Sequence, residues 1–182
     1  TAIAGGGNHS VALTGYSDPS VHVAPPGATV LAGDPILLWG EPRGLRPVSR
    51  QWSLEGAAVP GATNNWLFVD NVQGMYAGSY TLGASGGAGT VFSHSIELSV
   101  IETAPRFVGP DCTVGLLRGQ PLLLAPEVRG TESMAFQWRK NGVGLAGETR
   151  PSLAIPAVTW ADAGVYELVA SNRIGVTVSP AQ

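Results

Sequence analysis

The sequence predicts an all-β protein built from two tandem antiparallel β-sandwiches, and three observations carry that prediction. The stretch "QWSLEGAAVPGATNNWLFVDNVQGMYAGSY" (residues 51–80) is rewritten as "QWRKNGVGLAGETRPSLAIPAVTWADAGVY" (residues 137–166) at a constant offset of 86 residues. That period is too long for a solenoid repeat and suits a whole small domain. Within each copy, short apolar or alternating runs recur about every ten residues between Gly, Pro and Asn, the spacing of a sandwich or barrel. Gly 25 and Pro 14 in 182 residues favour many turns over long helices.

The elements follow in order. At the same offset Gly33 maps to Gly119, Pro35 to Pro121, Leu37-Leu38 to Leu123-Leu124, Gly56 to Gly142, Leu67 to Leu153 and Ala77-Gly78 to Ala163-Gly164. "DPILLWG" and "QPLLLAP" read as short strands, "NWLFVDNV" and "PSLAIPAV" as alternating ones, and "SYTLGAS" and "VYELVAS" as alternating again. Strand parity points Ile36, Leu38 and Gly40 inward and Leu37 and Trp39 outward. It likewise turns Leu67 and Val69 in, and Trp66 and Phe68 out.

Composition narrows the function classes. Hydrophobic residues make 44%, enough for a core, and charged residues only 13%, against a usual quarter. The net charge of -3 and a single lysine, Lys140, give no basic surface for nucleic acid. No apolar run is long enough to span a membrane as a helix. The lone Cys112 excludes an intrachain disulfide. His9, His22 and His94 lack metal-ligand spacing, and no nucleophile elbow, P-loop or dinucleotide fingerprint occurs. No catalytic residue, metal ligand or cofactor is therefore expected. Asp70-Asn71 and Asp162 read as turn caps, and His94 as a surface residue on the last strand of the first copy.

The residues "RGQPLLLAP", "FQWRKNGVGLAG" and "SLAIPAVTWADAGVYELVASNRIG" resemble the immunoglobulin-like family, closest to the intermediate-set domains found in tandem in bacterial surface proteins. The match covers about 160 residues and is more specific in the second copy, where the D-A-G-x-Y corner runs from Asp162 to Tyr166; in the first, Tyr76 replaces Asp162. The resemblance implies Trp52 and Trp138 as core tryptophans and Tyr80 and Tyr166 as corner tyrosines bonding the chain just upstream. The family's disulfide is absent from both copies. Leu82 and Leu168 stand at its strand F position, and its strand B position falls near Gly40 and Pro126. A bridge of this kind contributes roughly 2–4 kcal/mol. Burying leucine and tryptophan at roughly 1.5–3 kcal/mol each offsets that loss. The expected domains are residues 17–102 and 103–182, joined near "IETAPRF", where Pro105 separates the strands.

Because strands B and E are neighbours in such a sandwich, Leu37, Trp39, Trp66 and Phe68 are expected to form an exposed apolar patch. Its counterparts in the second copy are Leu123, Ala125, Ser152 and Ala154, so the fold does not require the patch. Cover by the chain's own N-terminal segment, a protein neighbour or self-association, and sugar stacking on Trp39 and Trp66 are the three readings. Residues 1–16, "TAIAGGGNHSVALTGY", belong to neither copy. Ile3, Ala4, Gly6, His9, Ser10, Ala12, Leu13 and Thr14 resemble a repeat of the regulator-of-chromosome-condensation type propeller. The alternative is a donor strand, with Ser10–Thr14 adding to another sheet. At the other end Ser93 maps to Ser179, so Ile96, Leu98 and Val100 have no apolar counterparts and the second sandwich is expected to keep an open edge. A slice of a longer chain explains both ends; so does head-to-tail strand donation into a filament. The resemblance implies a non-catalytic extracellular or cell-surface module for structure or adhesion in a larger bacterial protein. The alternatives are a self-assembling filament subunit and a carbohydrate-binding accessory module.

Overall fold

The computed structural model describes residues 2–6, 9–13, 19–44, 49–87, 89–109 and 113–181, with side chains from residue 19 onward. Cys112 lies outside the described residues, as do Thr1 and residues 14–16 of the N-terminal segment. Strands β1 (Ala2–Gly6) and β2 (His9–Leu13) pair antiparallel with each other, from Ala2 opposite Leu13 to Gly6 opposite His9. The sequence suggested either a propeller-repeat-like segment or a donor strand here; the described residues form a two-stranded sheet of their own.

The first copy contributes β3 (Ser20–Ala24), β4 (Gly27–Leu31), β5 (Ile36–Arg43), β6 (Ser49–Leu54), β7 (Ala57–Ala58), β8 (Trp66–Val69), β9 (Gly78–Gly86), β10 (Gly89–Phe92) and β11 (Ile96–Ile101). One sheet has the order β3-β5-β8; the other has the order β4-β11-β9-β6-β7, with β10 also paired to β9. Leu38, Trp52, Tyr80, Leu82, Ile96 and Leu98 are buried as its core. The second copy contributes β12 (Arg106–Val108), β13 (Leu122–Leu124), β14 (Glu127–Arg129), β15 (Ala135–Lys140), β16 (Val143–Gly144), β17 (Leu153–Ile155), β18 (Tyr166–Ser171) and β19 (Val176–Val178). Here β13 pairs β17, β12 pairs β14, and the other sheet has the order β16-β15-β18-β19. Leu124, Trp138, Leu153, Tyr166 and Leu168 form the buried cluster. Each copy is an immunoglobulin-like sandwich, and with one cysteine in the chain neither holds a disulfide.

The shared residues keep matching jobs in both copies. The indole N–H of Trp52 donates to the Asn64 carbonyl and that of Trp138 to the Arg150 carbonyl, each at 3.1 Å. The Gln51 amide nitrogen donates to the carbonyls of Trp52 and Val59, and Gln137 treats Trp138 and Leu145 in the same way. These bonds clamp the hairpins β6–β7 and β15–β16. Their two-residue turns, Glu55-Gly56 and Asn141-Gly142, take positive φ at both positions, which matches the twist of the flanking strands. The Tyr80 hydroxyl donates to the Tyr76 carbonyl at 2.8 Å, and the Tyr166 hydroxyl to that of Asp162 at 2.7 Å. Burial raises the pKa of both tyrosines, with Tyr76 and Asp162 respectively adding to it.

The missing bridge is filled differently in the two copies. A Cβ on Gly40 would overlap Leu82 Cδ2, so glycine at this place makes room for the leucine. Pro126, its counterpart, has no N–H for a ladder. The unbroken β5 of the first copy is there divided into β13 and β14.

One finding departs from the sequence reading. His94 is exposed but lies between β10 and β11, not on a strand. Ser93 breaks the ladder: the Leu82 N–H donates to Ser93 Oγ and the Ser93 N–H to the Leu82 carbonyl, both at 3.0 Å. By backbone contacts the chain divides into two compact units. One holds Thr1–Thr29, Ile36–Val69 and Tyr76–Ser99; the other holds Val30–Pro35, Asp70–Met75 and Val100–Gln182. Asp34 in the second unit accepts from Arg106 Nη2 at 2.9 Å, and Gln73 donates to the Gly130 carbonyl. Pro105 is fully buried just before β12.

Candidate interaction surface

The outward face of the β3-β5-β8 sheet is built by alternation. In β5 the burial runs buried, exposed, buried, exposed from Ile36 to Trp39; in β8, Trp66 and Phe68 are exposed while Leu67 and Val69 are half-buried. The register sets Leu37 opposite Phe68 and Trp39 opposite Trp66. Direct cross-strand apolar pairs of this kind contribute roughly 0.2–1 kcal/mol each to the sheet. The four side chains nonetheless remain 55%, 42%, 50% and 52% exposed for Leu37, Trp39, Trp66 and Phe68. Residues 1–16, one expected cover for this face, have no described side chains.

On the third strand Ala24 stands opposite Trp39 and His22 opposite Glu41, so the aromatic rows meet a polar row at one end. Glu41 is already engaged: Arg43 Nη2 donates to it at 3.0 Å. The centre of the face carries no charge. The corresponding face of the second copy pairs Leu123 with Ala154 across β13 and β17 and has no aromatic ring among the matched positions. Strand parity in the sequence turns these residues outward, and the family resemblance, which sets strands B and E side by side, is what brings the two rows together.

The other singled-out residues lie elsewhere. Trp52, Leu82, Trp138 and Leu168 are 0% exposed, and Tyr80 and Tyr166 no more than 4%, so these six hold the cores. Asp162 caps its turn: the Thr159 hydroxyl and N–H both donate to it, at 2.7 and 2.8 Å, and hold its carboxyl below the usual aspartate range. Among the described residues, no group of three His, Cys, Asp or Glu side chains gathers to hold a metal ion. None of their helices is long and apolar enough to cross a membrane.

Sequence reasoning missed a charge cluster in the second unit. Asp34 lies 2.9 Å from Arg106 Nη2 and 3.8 Å from Arg129 Nη1, and Arg129 also pairs with Glu127 at 2.6 Å. The carboxylate partners, Glu127 foremost, raise the Arg129 pKa. No sequence signal announces it, since Asp34 and Arg106 are 72 residues apart.

No family model matches the chain. Titin of Drosophila melanogaster is 30% identical over 129 residues, 64% of this chain. Hemicentin-2 of Mus musculus is 32% identical over 152 residues, 75% of this chain, and hemicentin-1 of Homo sapiens 26% over 186 residues, 95% of it. The chain spans only 1% of the length of the titin and 3% of each hemicentin. Among solved structures, the N-terminal eight immunoglobulin domains of Down Syndrome Cell Adhesion Molecule align over 88% of this chain and 26% of that one, at 20% identity and a TM-score of 0.47. Titin domains Z1Z2 in complex with telethonin align over 88% and 93%, at 22% identity and a TM-score of 0.39.

Proposed function

We propose that this chain is a non-catalytic structural or adhesion module that engages protein through the outer face of the β3-β5-β8 sheet. The observation that carries the reading is the cluster of Leu37, Trp39, Trp66 and Phe68, all about half exposed on one face. Contiguous exposed apolar surface marks contacts, and interface centres are depleted of charge and rich in aromatic anchors. A second copy of the face supplies matching chemistry, so self-association is the form tested first. The names of the relatives, titin, hemicentin and a cell adhesion molecule, agree with such a role. An extracellular or cell-surface setting in a larger bacterial protein rests on the family resemblance; the relatives named above are animal proteins.

The test is solution mass by light scattering over a concentration series, for the whole chain and for Trp66→Ser. A mass that rises with concentration, and ceases to rise in the variant, supports the reading. A constant single-chain mass in both, with retention on an immobilised polysaccharide that Trp66→Ser abolishes, transfers the face to sugar binding.

A further inference from the structure

Strand β8 is an edge of the β3-β5-β8 sheet. Its one ladder, to β5, sets Leu37 opposite Phe68 and Trp39 opposite Trp66. The Gly40 N–H donates to the Asn65 carbonyl at 2.6 Å, which makes Gly40 and Asn65 a hydrogen-bonded pair. Hydrogen-bonded and non-hydrogen-bonded pairs alternate along an antiparallel ladder. Leu67 and Val69 therefore bond β5, while the N–H and C=O groups of Trp66 and Phe68 point away from it. No described residue pairs with that side of β8. The chain that leads into β8 runs beside β6 instead, where the Trp52 N–H donates to the Ala62 carbonyl at 2.9 Å.

The second copy guards the same edge. Its strand β17 lies between Pro151 and Pro156, and Ser152 and Ala154 stand where the first copy has Trp66 and Phe68. Proline beside an edge strand blocks the addition of another strand. Asn65 and Asp70 take the places of those prolines in the first copy, and Trp66-Leu67-Phe68-Val69 carries no charge to repel a second chain. Leu67 points inward yet is only half-buried, whereas its counterpart Leu153 is 3% exposed. The open edge thus leaves apolar surface uncovered on both faces of the sheet.

We infer that the chain self-associates by pairing β8 antiparallel with β8 of a second copy, about a twofold axis at Leu67. The pairing builds on the aromatic face being a self-association surface and names the main-chain atoms that join it. Trp66 then stands opposite Phe68 of the second copy, and Leu67 opposite Leu67 of the second copy. The Trp66–Phe68 pairs are the hydrogen-bonded ones, so every outward N–H and C=O group of both strands finds a partner. Side chains keep to their faces only if the register moves by two residues at a time. Moving the axis to Trp66 or to Phe68 sets the other of these two residues opposite one outside β8, so Leu67 is the place that pairs the whole edge. On the outer face, Trp39 and Trp66 are then continued by Phe68 and Leu37 of the second copy in one apolar row, which the axis repeats. An isologous contact of this kind closes at two chains.

The test is residue-resolved amide hydrogen exchange on the whole 182-residue chain, over the same concentration series as the solution mass. As the mass rises, exchange at the Trp66 and Phe68 N–H groups is expected to slow, by about tenfold when about nine chains in ten are paired. Leu67 and Val69, already bonded to β5, serve as the internal reference and change little. A mixture of isotope-labelled and unlabelled chain is expected to show a cross-chain nuclear Overhauser effect between the two Leu67 Hα protons, because facing residues of a non-hydrogen-bonded pair approach most closely. A mass that rises while Trp66 and Phe68 exchange as fast as before means that the sheets stack face on face; it overturns the edge pairing and leaves the aromatic surface as the contact. Protection without the Leu67 contact overturns the pairing as well. A constant single-chain mass overturns it together with self-association through the face.

Discussion

Single residues decide how these sandwiches dispense with a cross-link. At Gly40 the absence of a side chain lets Leu82 fill the space that a half-cystine would share. Gly40→Ala forces the fully buried Leu82 to move, and overpacking of this kind costs about 1–3 kcal/mol. Urea unfolding measures it, and combining Gly40→Ala with Leu82→Ala is expected to be non-additive because the two sites share one space. Leu168, 0% exposed, leaves a cavity when cut to alanine, at a cost of about 2–5 kcal/mol. Asp162 brings pH into the account. Its folded-state pKa lies below the ordinary value because of Thr159. Its contribution to stability is therefore present above the unfolded-state value, about 4, and is lost as pH falls through the folded-state value. Thermal melts between pH 5 and about 2 should show a flatter acid limb in Asp162→Asn. The first copy has Tyr76 at this place, so that limb reports on the second sandwich.

At the scale of elements, the sequence reads well wherever a rule is local. Alternation placed Leu37 and Trp39 outward and Leu38 inward because a strand has a period of two. The Gln-Trp pair recurs in both copies because each glutamine clamps its own hairpin. Non-local pairing was legible only through the family resemblance, which set β5 beside β8. The partner of Asp34 is Arg106, an ion pair that no window along the chain contains. The pairing of β2 with β1 is likewise set by register between two strands, which a pattern within either strand does not specify. The apolar Val114 and Leu116 look like strand residues, yet a strand forms only against a partner, and none of the described residues supplies it. The aromatic face belongs to this scale as well. Trp66→Ser removes a half-exposed side chain and one cross-strand pair, so circular dichroism melts should shift little while the proposed association disappears in light scattering.

For the whole molecule, a core without a bridge means that oxidation state has no hold on folding. A reducing agent is expected to leave the thermal midpoint unchanged, because the chain's one cysteine has no intrachain partner. A drop of several degrees under dithiothreitol would contradict this. The same absence bears on mechanics. In a bridged sandwich, tension that unravels the domain stops at the cross-link, and the residues between the two sulfurs stay folded back as a closed loop. Here 42 residues separate Gly40 from Leu82, and the same number separate Pro126 from Leu168. Pulled straight at about 3.4 Å per residue, each stretch adds about 140 Å of reach. Under load, each sandwich is therefore a coil of slack that can be released to its full contour and rewound when the load is removed.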